Sequence, residues 1–96
     1  MQFKYNEDMI LKYIENYIAA TYGQHYVGQH GVQVVDVWKS LDVDEDAFRS
    51  NIMKYAMRYK YKDGNNLKDL MKIIHYTILL IDRNHSEEIS KILSKK

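Results

Sequence analysis

Apolar residues recur along this chain mostly at helical spacing, and the recurrences divide it into four or five segments. In the first, Ile10, Ile14, Tyr17, Ile18 and Thr21 fall on one side while Lys12, Glu15 and Asn16 face elsewhere, which predicts an amphipathic helix with Asn6 placed to cap it. The pattern stops near Gly23. There GQHYVGQHG puts three glycines and two histidines into nine residues, a run too rich in turn formers for regular structure, and it reads as a functional loop. Over 32–41, Val34, Val37, Trp38 and Leu41 suit a short helix, although VQVV alone also fits an extended strand. Next, Phe48, Ile52, Tyr55 and Tyr59 form the inward stripe of a helix over 44–61, with Asp44 as its expected N-cap and Glu45 and Asp46 near its positive end. The turn KDGNN follows, and Asn65 or Asn66 caps a helix over 67–83 whose apolar face is Leu67, Leu70, Met71, Ile74, Ile78 and Ile81. Ser86 is then expected to cap a last short helix carrying Ile89, Ile92 and Leu93. With no proline in the chain, no segment is barred from helix. The expectation is an all-α fold: one domain over 1–96, a compact bundle of four to five helices. Helices 44–61 and 67–83 form a central hairpin, and the Gly/His-rich loop covers one end.

Composition narrows the possible functions. A chain of 96 residues with 46% hydrophobic content holds one small core and buries roughly 60–65% of its unfolded surface. A formal charge of +1 and a pI near 7.9 argue against a general polyanion binder, so nucleic acid is disfavoured as a partner and any positive site must be local. The absence of cysteine excludes disulfides and thiolate metal sites. No apolar run approaches the roughly 20 residues that span a bilayer. The N-terminus MQFKYNEDMI carries acids where a signal peptide would begin its apolar core. The chain is therefore expected to be soluble, unprocessed and cytoplasmic, with no membrane partner. Nine tyrosines and one tryptophan supply rings with polar edges, which suit interfaces and ligand walls as well as ordinary packing. Because Met9, Tyr13 and Tyr17 on the first helix and Ile89, Ile92 and Leu93 on the last exceed what one small core needs, a homo-oligomer is expected.

The candidate chemistry lies in 51–81. Asn51, Lys54 and Arg58 fall at i, i+3 and i+7, so they project from one face of a helix, and Lys62 extends that line into the turn. Lys68, Lys72 and His75, at i, i+4 and i+7, make a second cationic row that would meet the first across an antiparallel hairpin. Together they suit a phosphate-bearing ligand, while the same spacing also fits a solvated charged face. His25 and His30 sit in the glycine-rich loop within reach of a ligand, and His85 lies in a polar turn. A structural hydrogen-bonding role accounts equally well for His25 and His75. The chain has no GxxxxGK[ST] loop, HExxH helix, GxSxG elbow or zinc-spaced His/Cys pair, so no metal or other cofactor is expected. Phosphoryl transfer would need carboxylates to hold Mg²⁺ near the phosphates. Asp36 can orient Arg58 or Lys54 from behind, Asp63 suits the turn, and Asp69 suits a helix N-terminus.

Taken in order, His25-Tyr26, Gly31 with Val35-Asp36, Phe48, Asn51, Lys54-Tyr55, Arg58, Lys62-Asp63-Gly64, Asp69-Leu70, Lys72 and His75-Tyr76 resemble the SaV-like family of small bacteriophage proteins. The resemblance covers about 25–81, and the ordered set NxxKYxxR, KDG, DLxK and an aromatic-Tyr pair is more specific than any one piece. The chain departs from the family's usual proline near the HY pair and from its small residue or Gly before the Asn, where it has Ser50. Its first 24 residues lie outside the match. The family is largely of unknown function but includes a nucleotide kinase without a P-loop, which implies a nucleotide-handling scaffold in the cytoplasm of an infected bacterium. On that footing Lys54, Arg58, Lys62 and Lys72 would neutralise phosphate and Asn51 would donate to phosphate or sugar. Tyr26 or Tyr55 would stack on a base, with His25 and His75 beside it and Asp36 and Asp69 behind. The expected function is sequestration of a nucleotide or nucleotide-derived host-defence signal without chemistry. The alternatives are a kinase acting on a nucleoside monophosphate and, third, nucleic-acid binding.

Overall fold

The structure, a computed structural model, describes residues 2–24 and 34–95, with only the backbone of Gly23 and Gln24. All regular structure among the described residues is helical, as α1 (Glu7–Gln24), α2 (Val34–Ser40), α3 (Asp44–Arg58) and α4 (Leu67–Ser94). They divide between two compact units, Met1–Val37 and Trp38–Lys96.

In the first unit α1 starts where the sequence places it. Asn6, at φ 61°, immediately precedes the helix, and its carbonyl accepts the first helical bond from the Ile10 N–H at 2.9 Å. The Glu7 carboxylate accepts from the Tyr5 N–H at 2.6 Å, satisfying a backbone donor just outside the helix. Ile14, Tyr17 and Ile18 are half-buried and Thr21 is buried, its hydroxyl donating to the Ile18 carbonyl at 2.7 Å. Ile10, predicted on the same side, stays exposed. Helix runs one residue past Gly23, so the glycine does not end it. The remainder of the glycine-rich segment lies outside the described residues.

The second unit is built on an antiparallel hairpin of α3 and α4. Phe48 is fully buried at its centre, with Met71 buried on α4. The Trp38 ring meets Phe48 edge-on at 6.2 Å, Phe48 lies 6.2 Å from Tyr76, and Tyr76 stacks on Tyr55 at 6.4 Å and 14°. Four rings thus run from the end of α2 through both hairpin helices. Ile52 and Tyr59 are half-buried as the α3 stripe predicts.

Three local expectations are corrected. Val43, not Asp44, is the N-cap of α3, and no side chain caps it. Asp44 is instead the first helical residue and is buried, its Oδ2 accepting from Arg83 Nε at 2.9 Å. A charge-assisted bond to a guanidinium 39 residues away takes the carboxylate that a local cap would have used. Secondly, α3 stops at Arg58 rather than at 61, because Lys60, Asp63 and Gly64 take positive φ (78°, 63°, 69°) and the Lys60 N–H bonds the Gly64 carbonyl at 2.8 Å. Asn66 then caps α4 as predicted, its Oδ1 accepting from the Lys68 N–H at 2.8 Å.

The third correction is that α4 continues to Ser94, so Ser86 caps nothing and the described helices number four. No glycine or proline interrupts 82–86, Arg83 and Asn84 are anchored to Asp44 and Glu45, and His85 Nδ1 lies 2.9 Å from Glu88 Oε1 within the helix. Since α3 begins opposite Arg83, the last eleven residues of α4 overhang it by roughly 16 Å. The predicted apolar face of α4 is covered only in part: Met71 is buried and Leu70 and Ile74 are half-buried, whereas Leu67, Ile78 and Ile81 remain exposed. Tyr76 and Arg83, which also contact α3, stand ~140–160° around the helix from Ile78 at about 100° per residue. No helix of the described residues is long and apolar enough to cross a membrane.

A cationic and methionine-lined groove on α3

The outer side of α3 carries a groove of about 530 Å³. One wall is Lys54, Arg58 and Lys62, spaced i, i+4 and i+8, and the other is Met53, Met57 and Tyr61 in the same spacing, with Ser50 at one end. Two of the lining residues lie beyond the helix proper. Their N–H groups both bond the Arg58 carbonyl, Tyr61 at 3.0 Å and Lys62 at 2.8 Å, which keeps the turn folded onto the end of α3 and continues both walls. Met53, Met57 and Tyr61 are 64%, 74% and 83% exposed, a contiguous apolar strip on an otherwise charged surface.

Tyr55 holds the cations from beneath. Lys54 Nζ lies 4.6 Å from its ring centroid and Arg58 Cζ 5.5 Å, while the same ring stacks on Tyr76 of α4. Each cation–ring contact contributes about 0.5–1 kcal/mol at a partly exposed site, and both restrict otherwise mobile side chains. Arg58 is half-buried and Lys54 and Lys62 are exposed, so Arg58 is the best ordered of the three. The groove therefore offers a fixed planar donor fork, two flexible ammonium groups and an adjoining polarizable apolar wall.

The remaining predicted site residues are distributed differently. Asn51 is half-buried, its Nδ2 donates one hydrogen bond to the Ala47 carbonyl at 2.8 Å, and it does not line the groove. Lys72 is half-buried on α4, and neither it nor Lys68 or His75 lines the groove, which draws on α3 and the turn after it. His75 is 5% exposed, and burial first, then the charge of Lys72, hold its imidazole below the usual 6.5. It is neutral at pH 7. Hence the second row is not a run of three cations, because burying a charge in a low-dielectric site favours the uncharged form. Asp69 is buried in the first turn of α4, its N–H bonded to the Asn66 carbonyl at 3.1 Å, a place that suits a carboxylate facing the helix's positive end. Asp36 is exposed in the first turn of α2, within the other unit. His25, Tyr26 and His30 lie outside the described residues. Among the described residues no group of three or more His, Cys, Asp or Glu side chains is arranged to hold a metal ion.

Met53, Met57 and Tyr61 were missed as site residues. Their signal was present, since they run one residue out of phase with the cations. A methionine strip at helical spacing also reads as ordinary packing, and only the side of α3 turned away from α4 shows it as a wall.

These features define a helical-hairpin protein with a local cationic groove. The sequence matches the family described as Protein of unknown function (DUF3310) over residues 20–77, and the chain belongs to that family. The matched span takes in α2, α3, the turn and the first part of α4, and leaves out most of α1 and the α4 overhang. No curated protein and no solved structure matches the chain significantly.

Proposed function

We propose that this protein binds a nucleotide, or a nucleotide-derived signal, on the outer side of α3 and holds it without altering it. The observation that carries this reading is the pairing of two walls in one groove: Lys54, Arg58 and Lys62 for phosphate, Met53, Met57 and Tyr61 for a planar apolar base. A nucleotide is the common metabolite class that joins those two chemistries at this scale. In this arrangement Arg58 takes phosphate oxygens as a fork, the lysines add charge, and Tyr55 orients Lys54 and Arg58 instead of stacking on the base. The likeness of the 25–81 motifs to the SaV-like bacteriophage family supports a nucleotide as ligand. In that setting a binder would withdraw a signal from host defence. Because the cations themselves supply the attraction, binding needs no divalent metal and weakens with salt.

The test is to incubate purified protein with a nucleotide mixture containing ATP and Mg²⁺, then analyse the free fraction and the fraction released by heating. Selective depletion, with the nucleotide recovered unchanged on heating and the binding insensitive to chelator, is the expected result. Asp36→Asn and Asp69→Asn should leave that binding within a few-fold. Nucleoside diphosphate formed from monophosphate, lost in either variant while the protein stays folded, would replace sequestration by a kinase. No depletion of any nucleotide would remove the proposal.

A further inference from the structure

The groove on α3 has a definite length as well as a chemistry. Its lining contains no carboxylate, and among the described residues none of Lys54, Arg58 and Lys62 is in an ion pair, so the groove holds three positive charges that the protein does not offset. On a chain whose net charge is only +1, that is a strong local concentration of charge. Lys54 and Arg58 stand one helical turn apart, about 6 Å along the axis, and the turn after α3 carries the row on to Lys62. Acids close the row at both ends. Two turns before Lys54 the same line of α3 comes to the exposed Asp46, and Lys62 is followed by Asp63, also exposed. A phosphate placed beyond either end would meet a carboxylate. Met53, Met57 and Tyr61 run alongside this row, not past its end, and each is next in sequence to one of the cations.

We infer that the ligand of this groove is a short oligonucleotide of two or three phosphodiester-linked units, an inference that rests on the nucleotide-binding reading and narrows it. A mononucleotide carries its phosphates at one end and its base at the other, so it calls for cationic and apolar groups placed end to end. Here they lie side by side along both walls. A phosphodiester chain has that layout, with charge along one edge and bases along the other. The step of about 6 Å between Lys54 and Arg58 suits phosphates separated by a sugar, whereas those of a triphosphate share a bridging oxygen and would crowd onto one cation. Lys54, Arg58 and Lys62 then serve up to three phosphates. Met53, Met57 and Tyr61 receive the bases, the thioethers by polarizable contact and the tyrosine by stacking. Asp46 and Asp63 exclude a longer strand, in keeping with a groove of about 530 Å³, the size of a small-molecule site, on a chain with little net charge.

The experiment measures binding of the full chain to 5′-phosphorylated, mixed-base oligonucleotides of one to six units, in ribose and deoxyribose form, alongside ATP and inorganic tripolyphosphate. Affinity should rise about tenfold with each added unit as far as the trimer and then level off, because a fourth phosphate reaches a carboxylate. Raising salt from about 50 to about 200 mM should weaken the trimer roughly 20-fold and the monomer only about threefold, as expected for three phosphates neutralised against one. Lys62→Gln should move the plateau from three units to two. A folding defect or a uniform loss of charge would instead weaken every length alike and leave the plateau where it was, which would count against the inference. A mononucleotide or ATP bound as tightly as the trimer overturns it while the nucleotide reading stands. Tripolyphosphate bound as tightly as the trimer overturns it by showing the apolar wall unused. Affinity that keeps climbing to the hexamer overturns it in favour of an open nucleic-acid track. Binding of none of these ligands removes both the inference and the reading beneath it.

Discussion

Replacing Arg83 by methionine keeps the hydrocarbon stem and removes the guanidinium, which tests what fixes the register of the hairpin. Arg83 Nε lies 2.9 Å from an Asp44 carboxylate whose side chain is 6% exposed, and the Arg83 side chain is 31% exposed. Its other acidic neighbours, Asp42 at 3.6 Å and Glu45 at 3.7 Å, are 91% and 44% exposed and contribute little. Breaking a fully buried pair costs about 3–5 kcal/mol because one charge is left stranded. With the guanidinium partly open to water, about 2–3 kcal/mol is expected here. For a domain of this size each kcal/mol corresponds to ~4–8 °C, so the melting temperature should fall by roughly 8–24 °C. Urea and thermal unfolding followed by circular dichroism measure it. Arg83→Met combined with Asp44→Asn should recover ~1 kcal/mol or more, since the double variant leaves no buried charge alone. A loss below about 1 kcal/mol, or a double variant no more stable than Arg83→Met, would show the pair to be an ordinary surface contact and would refute the argument. The consequence reaches the groove, because the same register sets Tyr76 against Tyr55 and Tyr55 against Lys54 and Arg58.

Arg58→Ala should weaken binding of the depleted nucleotide by about 10–100-fold, as expected for one charge-assisted contact, with the melting temperature changed by only a few degrees, and Arg58→Lys should restore it in part. Titration calorimetry reads both, and a large fall in stability with affinity retained would count against the groove. Asn66→Ala should cost ~1 kcal/mol by removing the bond to the Lys68 N–H, visible as a drop of several degrees in thermal unfolding, and no change would mean the cap is dispensable. His75 has a lowered folded pKa, so the unfolded chain binds its proton first as pH falls. Stability is therefore full above about pH 6.5 and declines below it, by at most about 1.4 kcal/mol per pH unit from this group, until the folded pKa is passed. His75→Gln should flatten that slope between about pH 6.5 and about pH 5.5, the lower edge of the usual histidine range, and an unchanged slope would assign it to other groups.

Local chemistry alone determined much of the protein. The helical phases of Ile14, Tyr17 and Ile18 in α1, and of Phe48, Ile52 and Tyr55 in α3, follow from residues within one or two turns of each other. So do the Asn66 cap and the Asp63-Gly64 turn, and the ladder of Lys54, Arg58 and Lys62 needs only the rise and twist of a helix to become a row. Tertiary structure decided what each face meets. Asp44 looked like a cap because its neighbours permit one, and it became a buried ion-pair partner because Arg83 arrives from 39 residues away. The stretch 82–86 looked like a boundary because it is polar, yet helix continues through it where Arg83 and Asn84 anchor to α3. His75 looked cationic by its spacing, and burial made it neutral. The apolar stripe of α4 was legible, but periodicity reports only that a helix has such a face. Which part of it is covered depends on where other helices lie, and Met71 is buried and Leu70 and Ile74 are half-buried while Leu67, Ile78 and Ile81 of the same stripe stay exposed.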